Sequence, residues 1–181
     1  METHTTLVLS LSLAVGCALA PLHLSAQATP FKLLEYTTPV PTGWTAREPS
    51  SSMRLAEFLI PSSQGNAEVV VYFFGPNRGG TPDANLARWK SQFSNPDGAA
   101  VFERVAHDST AIAKLTVAEY RGTYARGIGA GSAPEAALPN NTLLAVVAET
   151  PKGTLFFQLF GPQAAVDAAR ASYMTFVRGL K

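Results

Sequence analysis

Hydrophobic and polar positions alternate along MRLAEFLI at residues 53–60 before the run turns apolar, and EVVVYFF fills residues 68–74. Alternation with period two and enrichment in branched and aromatic residues predict two strands, 53–60 and 67–74. The PSSQGN link at 61–66 makes a hairpin their simplest pairing. The same signals predict strands over 34–38, 44–48, 100–108, 112–124, 142–150 and 154–160. A turn at PVPTG (39–43) separates the first two. PKG (151–153) joins the last two as a tight hairpin in which Gly153 takes positive φ. The period lengthens twice. Thr81 is placed to cap a helix, with Pro82 at its first position and Asp83 in its first turn. That helix is expected to reach Phe93, with Leu86, Trp89 and Phe93 on one face, before NPDG (95–98) stops it. A second helix spans about 162–179. Val166, Ala169, Tyr173, Val177 and Leu180 form its apolar stripe, opposite Gln163, Asp167, Arg170 and Arg178. Hairpins punctuated by helices predict an α+β fold: an antiparallel β-sheet of six to eight strands covered by helices. Residues 127–141 (GIGAGSAPEAALPNN) are the longest irregular stretch, read as a surface loop.

The start of the chain follows a different pattern. LVLSLSLAVGCALA, residues 7–20, is uncharged and apolar but short for a membrane span, which suits the hydrophobic region of a secretory signal. Ala26-Gln27-Ala28 then supplies small residues at −3 and −1. This predicts a signal peptide over 1–28 and a single domain over 29–181. METHTT carries no Lys or Arg, so the usual positive amino-terminal region is missing. Ala14-Val15-Gly16-Cys17 offers the other reading, a lipobox in which Cys17 is acylated and anchors the protein to a membrane. The expectation is export, to the periplasm or the medium, with the Cys17 lipoprotein as alternative. No later segment is apolar for long enough to span a bilayer.

Composition narrows the chemistry. The 181 residues hold 14 Lys+Arg against 13 Asp+Glu, a formal charge of +1, which gives no field for a nucleic-acid partner. Once the signal leaves, His107 is the last of three His, and the single Cys is gone. Disulfides, Cys-based zinc sites and a Cys nucleophile are thereby excluded from the processed chain. A Ser-His-Asp site would have to use His107, read here as a solvent-facing strand residue, and no G-x-S-x-G elbow is present. The carboxylates are scattered singly, and no cofactor or metal is implied. GIGAG (127–131) lacks the helix that a dinucleotide fingerprint requires.

What remains is a candidate binding surface. GPNRGG (75–80) leads from an apolar strand into the helix start, where backbone N–H groups and Arg78 could hold a phosphate, sulfate or carboxylate. It does not match a nucleotide P-loop. It equally suits a glycine-rich turn that needs positive φ. Asn85, Arg88 and Gln92 follow at i, i+3 and i+7 beside Trp89, either lining a recognition surface or bracing neighbouring loops. Arg54 would join them if the site is concave.

The runs SMRLAEF (52–58), VYFFG (71–75), GGTPDANLARWKSQF (79–93) and ETPKGTLFFQLFGP (149–162), followed by a carboxy-terminal helix, resemble an uncharacterised family of exported bacterial proteins. The resemblance covers residues 44–180 and implies no activity. The order of elements is remotely similar to PsbP-like domains, which implies an α/β/α sandwich and mainly non-catalytic binding or assembly roles. The expected function is an exported accessory or binding module of the cell envelope, with an envelope protein or a small anion as partner. The rival is an enzyme or ligand binder with a pocket at Arg54, Arg78, Asn85, Arg88 and Gln92.

Overall fold

A computed structural model of the protein describes residues 30–125 and 137–181. The signal, Cys17 and most of the 127–141 loop lie outside the described residues. The elements in chain order are β1 (Pro30–Leu33), β2 (Tyr36–Pro39), β3 (Thr45–Arg47), β4 (Arg54–Ile60), β5 (Ala67–Phe73), α1 (Pro82–Lys90), β6 (Phe93–Ser94), β7 (Phe102–Ser109), β8 (Lys114–Tyr124), β9 (Leu138–Thr150), β10 (Gly153–Pro162) and α2 (Gln163–Arg178).

β9 and β10 are apolar on both faces, and that dictates their place. A strand buried on both sides must be central, and the sheet order is β3-β4-β5-β10-β9-β8-β6, with β7 also on β8. All pairings are antiparallel. Alternate residues of the central strands feed two cores. On one face Val71, Val146 and Phe157 meet Tyr173 and Phe176 of α2. On the other, Val70, Val147 and Phe156 meet Trp89 of α1. Both predicted hairpins form, with Ile60 opposite Ala67 and Thr150 opposite Gly153, whose φ is 124°. The α2 stripe is buried as predicted, from Val166 to Leu180.

Three boundaries differ from the sequence reading. The strand expected at 34–38 is the two-stranded hairpin β1–β2, because Leu34 takes φ 57° and turns the chain. Leu33 is buried against the α2 layer. The first helix ends at Lys90, and Phe93 reaches the core from β6, opposite Tyr124. Residues 138–141 belong to β9 and not to the expected loop; Leu138 pairs with Tyr124 across an irregular register.

Candidate functional site

The 75–80 turn is built by left-handed backbone. Gly75, Asn77, Gly79 and Gly80 all have positive φ, between 57° and 100°. Gly79 is also tightly placed: a Cβ there would stand 2.6 Å from Phe156 and 2.9 Å from Phe74. The turn therefore packs its backbone directly on two rings, which a side chain at position 79 would prevent. Thr81 caps α1 as expected, its hydroxyl accepting from the Ala84 N–H at 3.2 Å.

Asn85 locks this turn to α1. Its side chain is buried, and its amide nitrogen donates to the carbonyls of Gly79 at 2.8 Å and Thr81 at 2.9 Å. Its oxygen accepts from the Arg88 guanidinium at 2.6 Å. The amide is thus engaged within the protein on both sides. Arg88 is exposed and rests on a neutral partner, and Arg78 is exposed with no ion pair or side-chain hydrogen bond among the described residues. Gln92 lies past the helix end, so the stripe expected at i, i+3 and i+7 does not form. Its carbonyl accepts the Ala125 N–H at 2.8 Å.

Arg54 reaches the same face of the sheet through aromatic rings. A bulge between Arg54 and Ala56 turns Arg54 toward Tyr72, with its guanidinium 5.7 Å from the ring centre. Tyr72 stacks on Phe74 at 6.1 Å, and Phe74 touches the turn at Gly79. Arg54, Tyr72, Phe74, Gly79, Asn85 and Arg88 therefore form one continuous chain of contacts. Arg54 itself is paired with Glu57 at 2.8 Å, and the same Glu57 oxygen accepts from the Ser50 N–H and hydroxyl. Partial burial opposes the charge on Glu57, but these donors outweigh it and hold the carboxyl below the ordinary glutamate value. Burial likewise opposes charge on Arg54, and Glu57 and Tyr72 outweigh it, raising its pKa.

His107 stands exposed on β7. Its Nδ1 is 3.4 Å from the Thr116 hydroxyl, while the neighbouring Asp108 pairs with Arg178 at 2.8 Å. Asp108 is held below the usual carboxylate range chiefly by the Ser109 N–H and then by Arg178. Among the described residues no group of three or more His, Cys, Asp or Glu is arranged to hold a metal ion. An open depression of about 410 Å³ lies where the 109–114 and 150–153 turns meet, between Lys114 and Glu149. It shares the sheet end of the 75–80 turn, since Gly153 lies against Pro76.

A cluster absent from the sequence reading joins the sheet to α2. Glu119, with a side chain 2% exposed, accepts from Arg121 at 2.6 Å and Arg170 at 2.8 Å, and Asp167 lies 3.1 Å from both arginines. One signal was available: a carboxylate flanked by Ala118 and Tyr120 in the middle of a long strand needs a buried partner. Which partner could not be read, because Arg170 is 51 residues away.

No family model matches the sequence, and no curated protein matches it. Among solved structures the chain is similar to the solution structure of cyanobacterial PsbP (CyanoP) from Synechocystis sp. PCC 6803, at 13% identity over 91% of this chain and 97% of that one, with a TM-score of 0.53. No helix among the described residues is long and apolar enough to cross a membrane. An identity this low speaks to fold, and the eight-stranded antiparallel sheet between helices agrees: the chain carries a PsbP-like α+β fold.

Proposed function

We propose that the protein is an exported, non-catalytic binding or accessory module of the bacterial cell envelope that presents the 75–80 turn to an acidic partner. The observation that carries this is the pair of arginines on a rigid frame. Arg78 makes no ion pair among the described residues and Arg88 rests on neutral Asn85, while Asn85 fixes the turn beneath them. Arg88 is held by Asn85 and Arg78 projects from a fixed turn, and guanidinium groups match the geometry of carboxylate and phosphate. Export is supported by the apolar run at 7–20 with its small-residue cleavage site, and Cys17 supplies the lipoprotein alternative. The likeness of the 79–93 motif to exported bacterial proteins agrees with this reading.

A small anion is the second reading, favoured by the half-buried Arg54–Tyr72–Phe74 stack that continues from the turn. The test is to compare the wild type with an Arg78→Ala/Arg88→Ala variant, titrating each with inorganic phosphate and with a glutamate-rich peptide by calorimetry. Binding that the variant loses while its unfolding midpoint stays unchanged supports the proposal, and the tighter probe separates the two readings. No binding of either probe, or equal binding by the variant, sinks it. The denatured mass of protein taken from the envelope settles processing: cleavage after Ala28 supports soluble export, and acyl mass on Cys17 supports the anchor.

A further inference from the structure

The two edges of the eight-stranded sheet are built differently. At one, β3 is three residues long and offers little to a partner strand. At the other, β7 runs for eight residues in unbroken register against β8, from Phe102 opposite Arg121 to Ser109 opposite Lys114. It contains no Gly, Pro or bulge, all eight residues are exposed, and among the described residues its outer side pairs with no strand. Phe102 and Val105, 47% and 43% exposed, stand on its two faces. Such a row of backbone donors and acceptors is a template for one more strand.

The charges on β7 identify which strand fits. Glu103 is paired with Lys90 and Asp108 with Arg178, whereas Arg104 has no ion pair among the described residues. We infer that β7 is a self-association edge at which two copies pair antiparallel about a two-fold axis through Ala106. A two-fold axis normal to the sheet keeps each face continuous between copies. Opposed residues must then come from the same face, and the axis must pass through a residue. An axis at Ala106 pairs residues 103–109 and sets Arg104 opposite Asp108 of the partner subunit, twice by symmetry. Val105 then faces His107 of the partner subunit and Glu103 faces Ser109 of the partner subunit, so no like charges meet. An axis at Val105 leaves Arg104 opposite an alanine, and one at Arg104 sets that cation against itself. The association shares no residue with the 75–80 turn and stands apart from the binding proposal.

The test combines sedimentation of the protein over micromolar concentrations with an Ala106→Cys variant under mild oxidation, its cross-links mapped by peptide mass spectrometry. The expected result is a dimer whose disulfide joins residue 106 to residue 106. Directly opposed antiparallel residues lie about 4.5–5.5 Å apart at Cα, within disulfide reach. Arg104→Glu, which touches no ion pair of the fold, is expected to weaken the dimer about tenfold without moving the unfolding midpoint. A monomer at about 100 μM, a dimer in which residue 106 does not cross-link to itself, or a dimer indifferent to Arg104→Glu would each overturn the inference. So would β7 being occupied by a segment of a different protein.

Discussion

At the scale of single residues the 79–93 motif separates into frame and face. Asn85 is frame, since its amide donates to the carbonyls of Gly79 and Thr81, the second of which also accepts the Asn85 backbone N–H at 3.1 Å. Asn85→Ala removes both side-chain bonds and empties a buried position, and is expected to cost about 2 kcal/mol, although the Thr81 carbonyl keeps its backbone donor. Arg88→Ala removes an exposed guanidinium and its one bond to the Asn85 oxygen, and is expected to cost about 1 kcal/mol. Urea denaturation of the two variants checks the contrast, and equal costs would make Arg88 part of the frame. Glu57 gives a pH signature. Its folded carboxyl lies below the ordinary value of 4.5, so the stability it contributes is complete above that value and is lost as pH falls through the lower folded one. Glu57→Gln is therefore expected to cost about 1–2 kcal/mol at pH 7, with the deficit against wild type narrowing below pH 4.5. Thermal melts from pH 3 to 7 read this directly, and a deficit that stays constant over that range would refute it.

At the scale of elements, local signals were legible and distant ones were not. Capping of α1 by Thr81 and the hairpin turn at Gly153 follow from neighbours within four residues, and both formed as read. The β1–β2 hairpin escaped because Leu34, with no glycine or asparagine to announce it, adopts a left-handed turn held by burial of Leu33 and by the pairing of Thr37 with Lys181. The spacing of Phe93 from Leu86 and Trp89 fits a helix, yet pairing with Tyr124 draws it into β6. The same distance in sequence hid the Glu119 cluster that ties α2 to β8. Removing the shared carboxylate leaves two arginines with Asp167 alone, and both are about a third exposed, so water softens the loss. Glu119→Ala is expected to cost about 2 kcal/mol, more than Arg170→Ala, with Arg121→Ala the mildest. Chemical denaturation gives the ranking, and an Arg121→Ala variant as unstable as Glu119→Ala would mean that the cluster is not centred on the carboxylate.

At the scale of the whole molecule the α+β class and the covered antiparallel sheet were legible because runs apolar on both faces have only the sheet centre to occupy. The candidate site was legible as a segment but not as an arrangement. The approach of Arg54 depends on a bulge and on the Tyr72–Phe74 stack, neither of which any spacing announces. The shared sheet has a consequence for cooperativity. β5, β10 and β9 send alternate side chains into both cores, so neither core persists without the strands that build the other. Each core contains one of the two tryptophans. Trp44 sits 5.6 Å from Phe58 and 5.3 Å from Phe176 on the α2 side, and Trp89 is buried on the α1 side. Trp44→Phe thus leaves a reporter of the α1 layer, and Trp89→Phe a reporter of the α2 layer, each at a cost of about 1–2 kcal/mol. In each variant the fluorescence transition in urea is expected to coincide with the loss of far-ultraviolet circular dichroism. A Trp89 signal lost at lower urea than the dichroism would show the short α1 layer detaching while the sheet stands. The Asn85 brace would then hold the turn to a separable helix instead of to the body of the fold, and the arginines above it would lose their rigid base.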